Sequence, residues 1–228
     1  MKFLVFKKCY IWALVAVIVA IAGATAFAYL PSSTMPKPTY VVVIDAGHGG
    51  RDGGATGVKT GVSESELNLK YACTLRDLCQ DFGIGVVMTR SNMNGLYEET
   101  ASNKKRSEME RRRQIINSSN ANLMISLHMN SFPLPSCSGA QIFYAKGSES
   151  GFNLAKSVQT SVCQSFDNAR DYVTVGDYFV LNVSAMPAVL VECGFLSNPE
   201  EEKNLLDETY RQNFCYALLA GILSYFKM

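Results

Sequence analysis

Histidine is nearly missing from this chain: 228 residues hold two, His48 and His128. If imidazole does chemistry or binds metal here, those two are the candidates. A net charge is missing too, with 21 basic against 20 acidic side chains, a balance too even for a nucleic-acid binder. Disorder is excluded by the 48% hydrophobic content, and the length suits one domain with a full core. None of the seven cysteines forms a CxxC pair, which argues against a thiolate zinc knuckle or a thioredoxin-type redox site. Cys73 and Cys79 would lie on one helix about 9 Å apart, too far to bridge. A dense disulfide framework is therefore not expected, and a single bridge stays open. Gly47, Gly49 and Gly50 are not followed by GxGxxG or lysine-bearing P-loop spacing, so they read as a tight turn rather than a phosphate cradle.

Charge is also absent from Cys9 through Leu30, while Lys2, Lys7 and Lys8 precede that apolar run. The run is long enough to cross a bilayer as a helix, and the lysines put its start in the cytoplasm and the rest of the chain outside it. Ala24-Thr25-Ala26 and Ala26-Phe27-Ala28 resemble signal-peptidase sites, so residues 1–30 read either as an uncleaved anchor or as a removed signal. Residues 31–38 carry three prolines and read as an extended linker. The folded domain is expected over 39–228, without internal repeats.

Within that domain strand-like apolar runs alternate with helical patterns. Strands are expected at Tyr40–Asp45, Gly85–Thr89, Leu123–Ser126, Ala140–Tyr144, Tyr178–Leu181 and Ala188–Val191. Runs buried on both faces suggest a mostly parallel open sheet of about six strands covered by helices, an α/β fold. Ser63 with Glu66 reads as a capping box opening a helix that carries Leu67, Tyr71, Leu75, Leu78 and Phe82 and stops at Gly83. Further helices are expected near 103–118, 149–166 and 209–226, and Asn198-Pro199-Glu200-Glu201 reads as another helix start.

Three polar groups follow or end separate strands: His48, His128 and Glu192. Sites in open α/β sheets form outside the carboxyl ends of strands, so these three are expected at one functional edge. Each alone reads equally well as a satisfied loop residue. Glu64, in the first turn of the helix after Ser63, would by itself be a favourable helix-dipole acid. Taken together, His48, Glu64 and His128 make the His₂Glu set of catalytic zinc sites. Cys193 is an alternative ligand, although strand alternation turns it to the face opposite Glu192. Asp45 reads either as a partner that orients His48 or as a structural loop cap.

At these residues the sequence resembles the zinc-dependent N-acetylmuramoyl-L-alanine amidases of bacterial cell walls. The matching segments are Ile44–Gly50, Gly61–Leu69, Arg112–Asn117, Ser126–Asn130 and Pro187–Asn198, spread over nearly all of residues 40–228. The resemblance implies that His48, Glu64 and His128 hold Zn²⁺ and that Glu192 is the catalytic acid/base. It implies cleavage of the amide between N-acetylmuramic acid and L-alanine in peptidoglycan. Ala46 stands where many members have proline, and Asn182 and Ser184 replace an often arginine-bearing stretch. Wall-binding repeats are absent, so the protein would find its substrate through its catalytic domain, its tether or an activating protein partner. The short, membrane-led domain, with Val175 to Leu181, looks most like the spore-cortex amidases of endospore formers. The basic stretch Lys104, Lys105, Arg106, Arg111, Arg112 and Arg113, broken by Glu108 and Glu110, reads as a solvated face or as an attraction to anionic wall polymers. Two other readings stay open: another zinc hydrolase of the wall, a peptidase or a deacetylase, and a wall-binding relative without turnover.

Overall fold

Six short apolar segments pair into one sheet, and its parity decides where every polar side chain goes. The structure is a computed structural model that describes Pro38–Met228, together with Ala16, Val17, Val19 and Ala20, which are helical. The expected membrane or signal segment over 1–30 and most of the linker over 31–38 lie outside the described residues. Among the described residues no helix is long and apolar enough to cross a membrane. Pro38–Met228 form one compact unit.

The strands are β1 (Val41–Ala46), β2 (Gly85–Met88), β3 (Leu123–Asn130), β4 (Gln141–Tyr144), β5 (Thr174–Val175) and β6 (Ala188–Phe195). Their order is β2-β1-β3-β6-β4-β5. β1 pairs in parallel with β2 and β3, β3 with β6, and β4 with β5, but β4 runs antiparallel to β6. The sheet is therefore mixed at one junction. The helices are α1 (Glu64–Asp81), α2 (Lys104–Ser118), α3 (Glu149–Ser165), α4 (Phe179–Asn182), α5 (Pro199–Leu206) and α6 (Glu208–Phe226).

Side chains alternate across a strand, and the two faces differ in kind. Val42 and Ile44 of β1, Leu123, Ile125 and Leu127 of β3, and Val189, Val191 and Cys193 of β6 join the large core beneath α1, α3 and α6. Val43, Met124 and Leu190 point the other way, into a smaller cluster with Ile116 of α2 and Val180 and Leu181 of α4. Asp45, Ser126, His128 and Glu192 share that second parity. The second face is thus apolar in mid-sheet and polar toward the carboxyl edge.

Three expectations are corrected. Tyr178–Leu181 is not a strand. Leu181 N donates to Tyr178 O at 3.1 Å and Val183 N to Phe179 O at 3.0 Å, so the segment winds into α4 and tucks Val180 and Leu181 under the sheet. Short apolar runs fit either state, and the sixth strand is Thr174–Val175 instead. β3 and β6 run further than expected, so His128 and Glu192 lie inside strands rather than at or beyond their ends. The capping box at Ser63 does not form either. Glu64 N donates to Ala55 O at 2.8 Å and Ser65 N to Gly53 O at 3.0 Å, so the 53–55 backbone already satisfies the helix start. Glu66 turns to Lys70 Nζ at 2.8 Å. Asn198, by contrast, caps α5 by accepting from Glu200 N and Glu201 N, with Pro199 in the first turn. All six described cysteines are free thiols.

Below the carboxyl edge lies a buried ionic network. Arg112 of α2, 1% exposed, pairs with Asp45 and with Glu108, 2.8 Å away. Asp45 also accepts from Thr89 Oγ1 at 2.7 Å and Ser126 Oγ at 2.6 Å. Burial alone raises the Asp45 pKa, but Arg112, Ser126 and Thr89 outweigh it and hold the carboxyl at about 2. Removing one partner of a buried pair strands the other charge, at a cost of about 3–5 kcal/mol. Arg112→Met is expected to lose about that much in urea unfolding, read as a lower midpoint at unchanged slope. Because folding lowers the Asp45 pKa from 3.8, its stabilisation is complete above that pH and is lost as pH falls through about 2. The stability gap between wild type and Asp45→Asn is expected to close over that window.

Candidate active site

Glu64 is the meeting point. It is the first residue of α1, its side chain is 6% exposed, and both carboxylate oxygens are in use. Oε2 accepts from Ala55 N at 2.8 Å, while Oε1 accepts from Met129 N and Asn68 Nδ2, each at 3.2 Å. Two imidazoles converge on the same Oε1: His128 Nδ1 at 2.8 Å and His48 Nε2 at 3.2 Å. The ring centroids are 5.0 Å apart at 76°. One ligand atom from each of His48, Glu64 and His128 lies within 4.8 Å of the others.

His48 comes from the turn after β1, His128 from β3, and Glu192 from the next strand, in register with His128. Glu192 is 8% exposed and its Oε2 has no hydrogen-bond partner. A narrow cleft of about 120 Å³ opens at the imidazoles, walled by Lys105 and Met109 of α2 and by Tyr178 and Phe179. His48, Glu64 and His128 thus come together as one cluster, the two imidazoles line the cleft, and Glu192 sits beside His128 on the neighbouring strand. Cys193, the alternative ligand, is buried in the core on the other side of β6. Asp45 does not orient His48, because Arg112, Thr89 and Ser126 occupy its oxygens.

The sequence profile of the N-acetylmuramoyl-L-alanine amidases matches residues 42–224. The chain belongs to that family. A germination-specific N-acetylmuramoyl-L-alanine amidase of Bacillus subtilis is 34% identical over 197 residues, covering 85% of this chain and 82% of the relative. The CwlD amidase of Clostridioides difficile, solved in complex with the GerS lipoprotein, is 35% identical, with a TM-score of 0.79 over 82% of this chain and 98% of its own. An N-acetylmuramoyl-L-alanine amidase from Clostridium difficile 630 is 30% identical, with a TM-score of 0.74 over 83% of this chain and 98% of its own.

The amidase cleft is electrostatically graded. Burial raises the Glu64 pKa, but hydrogen bonds and charge from His128 and His48 outweigh it and hold Glu64 well below the carboxylate range. Burial lowers the His48 pKa, yet Glu64 and Asp52 lift it above its ordinary value. Glu192 goes the other way: burial pushes it up to about 7, with Glu64 adding to the rise and the histidines opposing it. The two carboxylates, one opening α1 and one on β6, are therefore tuned in opposite directions.

Two residues of the site were not legible as such. Arg90, buried just after β2, donates to Ala46 O and Gly47 O, each at 2.9 Å, and to Ser65 O at 2.7 Å. A lone arginine ending an apolar run is its only trace in the sequence. Asp52 lies four residues after His48, with Oδ1 2.9 Å from His48 Nδ1; the ring N–H is off the line to the oxygen. Of the basic stretch, Arg112 is buried, Lys105 pairs with Asp52, Lys104 with Glu99 and Arg113 with Glu110. Asn182 Nδ2 donates to Asp177 Oδ1 at 2.7 Å and Ser184 Oγ to Met186 O at 3.0 Å.

Gly47 is a close-approach glycine. A methyl group there would lie 2.3 Å from both Cε1 and Nε2 of His128. Gly47→Ala is expected to displace that ring while leaving the core intact, weakening metal uptake by about 10–100-fold, the range for disturbed supporting contacts. Metal content by mass spectrometry, beside a circular-dichroism check of folding, measures this.

Proposed function

We propose that this N-acetylmuramoyl-L-alanine amidase cleaves the amide joining the lactyl group of N-acetylmuramic acid to L-alanine, with zinc held by His48, Glu64 and His128 and with Glu192 as the catalytic acid/base. The observation that carries the reading is the convergence of two ring nitrogens on Glu64 Oε1 beside a buried glutamate oxygen that has no partner. The donor set fits the ion. Two imidazoles and one carboxylate are the His₂Glu combination of catalytic zinc, and three protein ligands leave a position open. Among the described residues, neither a thiolate nor a further histidine joins the cluster.

When bound, zinc supplies Lewis acidity, polarising the scissile carbonyl and acidifying water. The remaining chemistry belongs to Glu192. Its free Oε2 accepts a proton from the attacking water, and its raised pKa lets it keep that proton near neutrality. It then delivers the proton to the L-alanine nitrogen as the C–N bond breaks. Tyr178 and Phe179 wall the cleft into which the two imidazoles open.

In this reading the domain works outside the cytoplasm on peptidoglycan, and residues 1–30 deliver it there as an anchor or a signal. A role in the spore cortex is supported by the germination-specific Bacillus relative. An activating protein partner is supported by the Clostridioides relative solved with a lipoprotein.

Mass spectrometry of peptidoglycan fragments tests the assignment. Wild type with zinc is expected to free the L-alanine amino terminus and leave an intact lactyl group. Glu192→Gln is expected to lose about 10²–10⁴-fold in rate while keeping its zinc, since general acid–base help is of that size. His128→Ala is expected to lose the zinc itself. Full turnover by Glu192→Gln would remove Glu192 from the mechanism.

A further inference from the structure

His48 reaches the ligand cluster from a turn, with its own backbone in the left-handed region at φ 60°. A ligand on such a segment needs something to decide which ring nitrogen faces inward and which carries the proton. The nitrogen toward the cluster is Nε2, 3.2 Å from Glu64 Oε1. The outer nitrogen, Nδ1, lies 2.9 Å from Asp52 Oδ1. Asp52 is held in turn from two sides: Oδ1 accepts from Gly54 N at 3.2 Å, and Oδ2 is paired with Lys105 Nζ of α2. Gly49 N to Asp52 O at 2.9 Å and Asp52 N to Gly49 O at 3.1 Å close the turn between them. His128 is fixed by different means, with Gly47 packed against its ring.

We propose that Asp52 is the positioning residue for His48. Its carboxylate keeps the proton on Nδ1, so that the Nε2 lone pair points into the His48–Glu64–His128 cluster, and Lys105 keeps the carboxylate in place. Neutral imidazole carries one donor and one acceptor nitrogen, so fixing the proton on one side fixes the ligand atom on the other. A carboxylate behind a ligating histidine also raises its basicity, and losing such a support costs about 10–100-fold in metal affinity. The inference rests on the zinc reading above and assigns Asp52 and Lys105 a part in it.

Zinc affinity of the full chain, measured by competition with a chromophoric chelator, tests it. Asp52→Ala is expected to bind zinc about 10–100-fold more weakly than wild type. Asp52→Asn is expected between the two, because an amide oxygen still accepts from Nδ1–H. Lys105→Met is expected to weaken binding in the same direction by a smaller factor. Thermal unfolding of the metal-stripped proteins is expected to be unchanged by Asp52→Asn and Lys105→Met, which a merely structural role would not allow alongside weaker binding. Visible absorption of the Co²⁺-loaded Asp52→Asn protein is expected to differ from wild type, reporting altered ligand geometry. Wild-type zinc affinity in Asp52→Ala, or in both Asp52→Asn and Lys105→Met if the alanine variant does not fold, overturns the proposal. A wild type that binds zinc no better than His128→Ala overturns the metal reading itself, and the two failures are thereby distinguished.

Discussion

Two buried guanidinium groups hold three consecutive carbonyls at the end of β1, and the geometry of the cleft depends on that grip. Arg112 donates to Ala46 O and His48 O, and Arg90 donates to Ala46 O and Gly47 O. A strand that stops at a crowded edge turns its carbonyls away from the sheet ladder, and buried carbonyls need donors. Arginine suits the task because one planar fork reaches several acceptors and stays charged under all ordinary conditions. The two cations are not equivalent. Arg112 is compensated by Asp45 and Glu108, whereas Arg90 faces only backbone oxygens, and burial with the neighbouring Arg112 lowers its pKa to about 10.

From this clamp the supports of the ligand cluster radiate. Arg90 also takes Ser65 O, so the start of α1 is tied to the β1 turn, and Glu64 is carried at a fixed place between them. Asp45 reaches Ser126, two residues before His128 on β3. Asn68 bridges Gly47 O and Glu64 Oε1, at 3.2 Å each. The side chains that face the reaction are thus set by hydrogen bonds made beneath them, as preorganised sites require. Glu192 is the exception, with one oxygen unpartnered, and it is the group to which the proposed mechanism gives the proton exchange.

Much of this was legible from the chain alone because it follows from parity and from strand ends. Asp45, Ser126, His128 and Glu192 alternate with apolar residues, and the alternation places all four on one face of the sheet. The helices were legible from their periodicity, with α6 found at Glu208–Phe226 and α2 at Lys104–Ser118. What escaped was set by tertiary contact. Whether Tyr178–Leu181 winds or extends depends on the apolar cluster it covers, and four residues carry too short a pattern to decide it. Ser63 has the right residue type for a cap, but the backbone of residues 53–55 reaches the helix donors first. Asp45 read either as orienting His48 or as a structural cap, and a buried arginine claims it for structure, while Asp52, in an exposed-looking polar loop, stands behind the ring.

One contact lies far from the cleft. Tyr40, just before β1, stacks on Phe226 at the end of α6, with ring centroids 4.1 Å apart and nearly parallel. Both ends of the folded unit therefore meet at the amino edge of the sheet, while the strands that bear His128 and Glu192 run toward the opposite rim. The stacked pair thus closes the rim of the domain that lies away from His128 and Glu192.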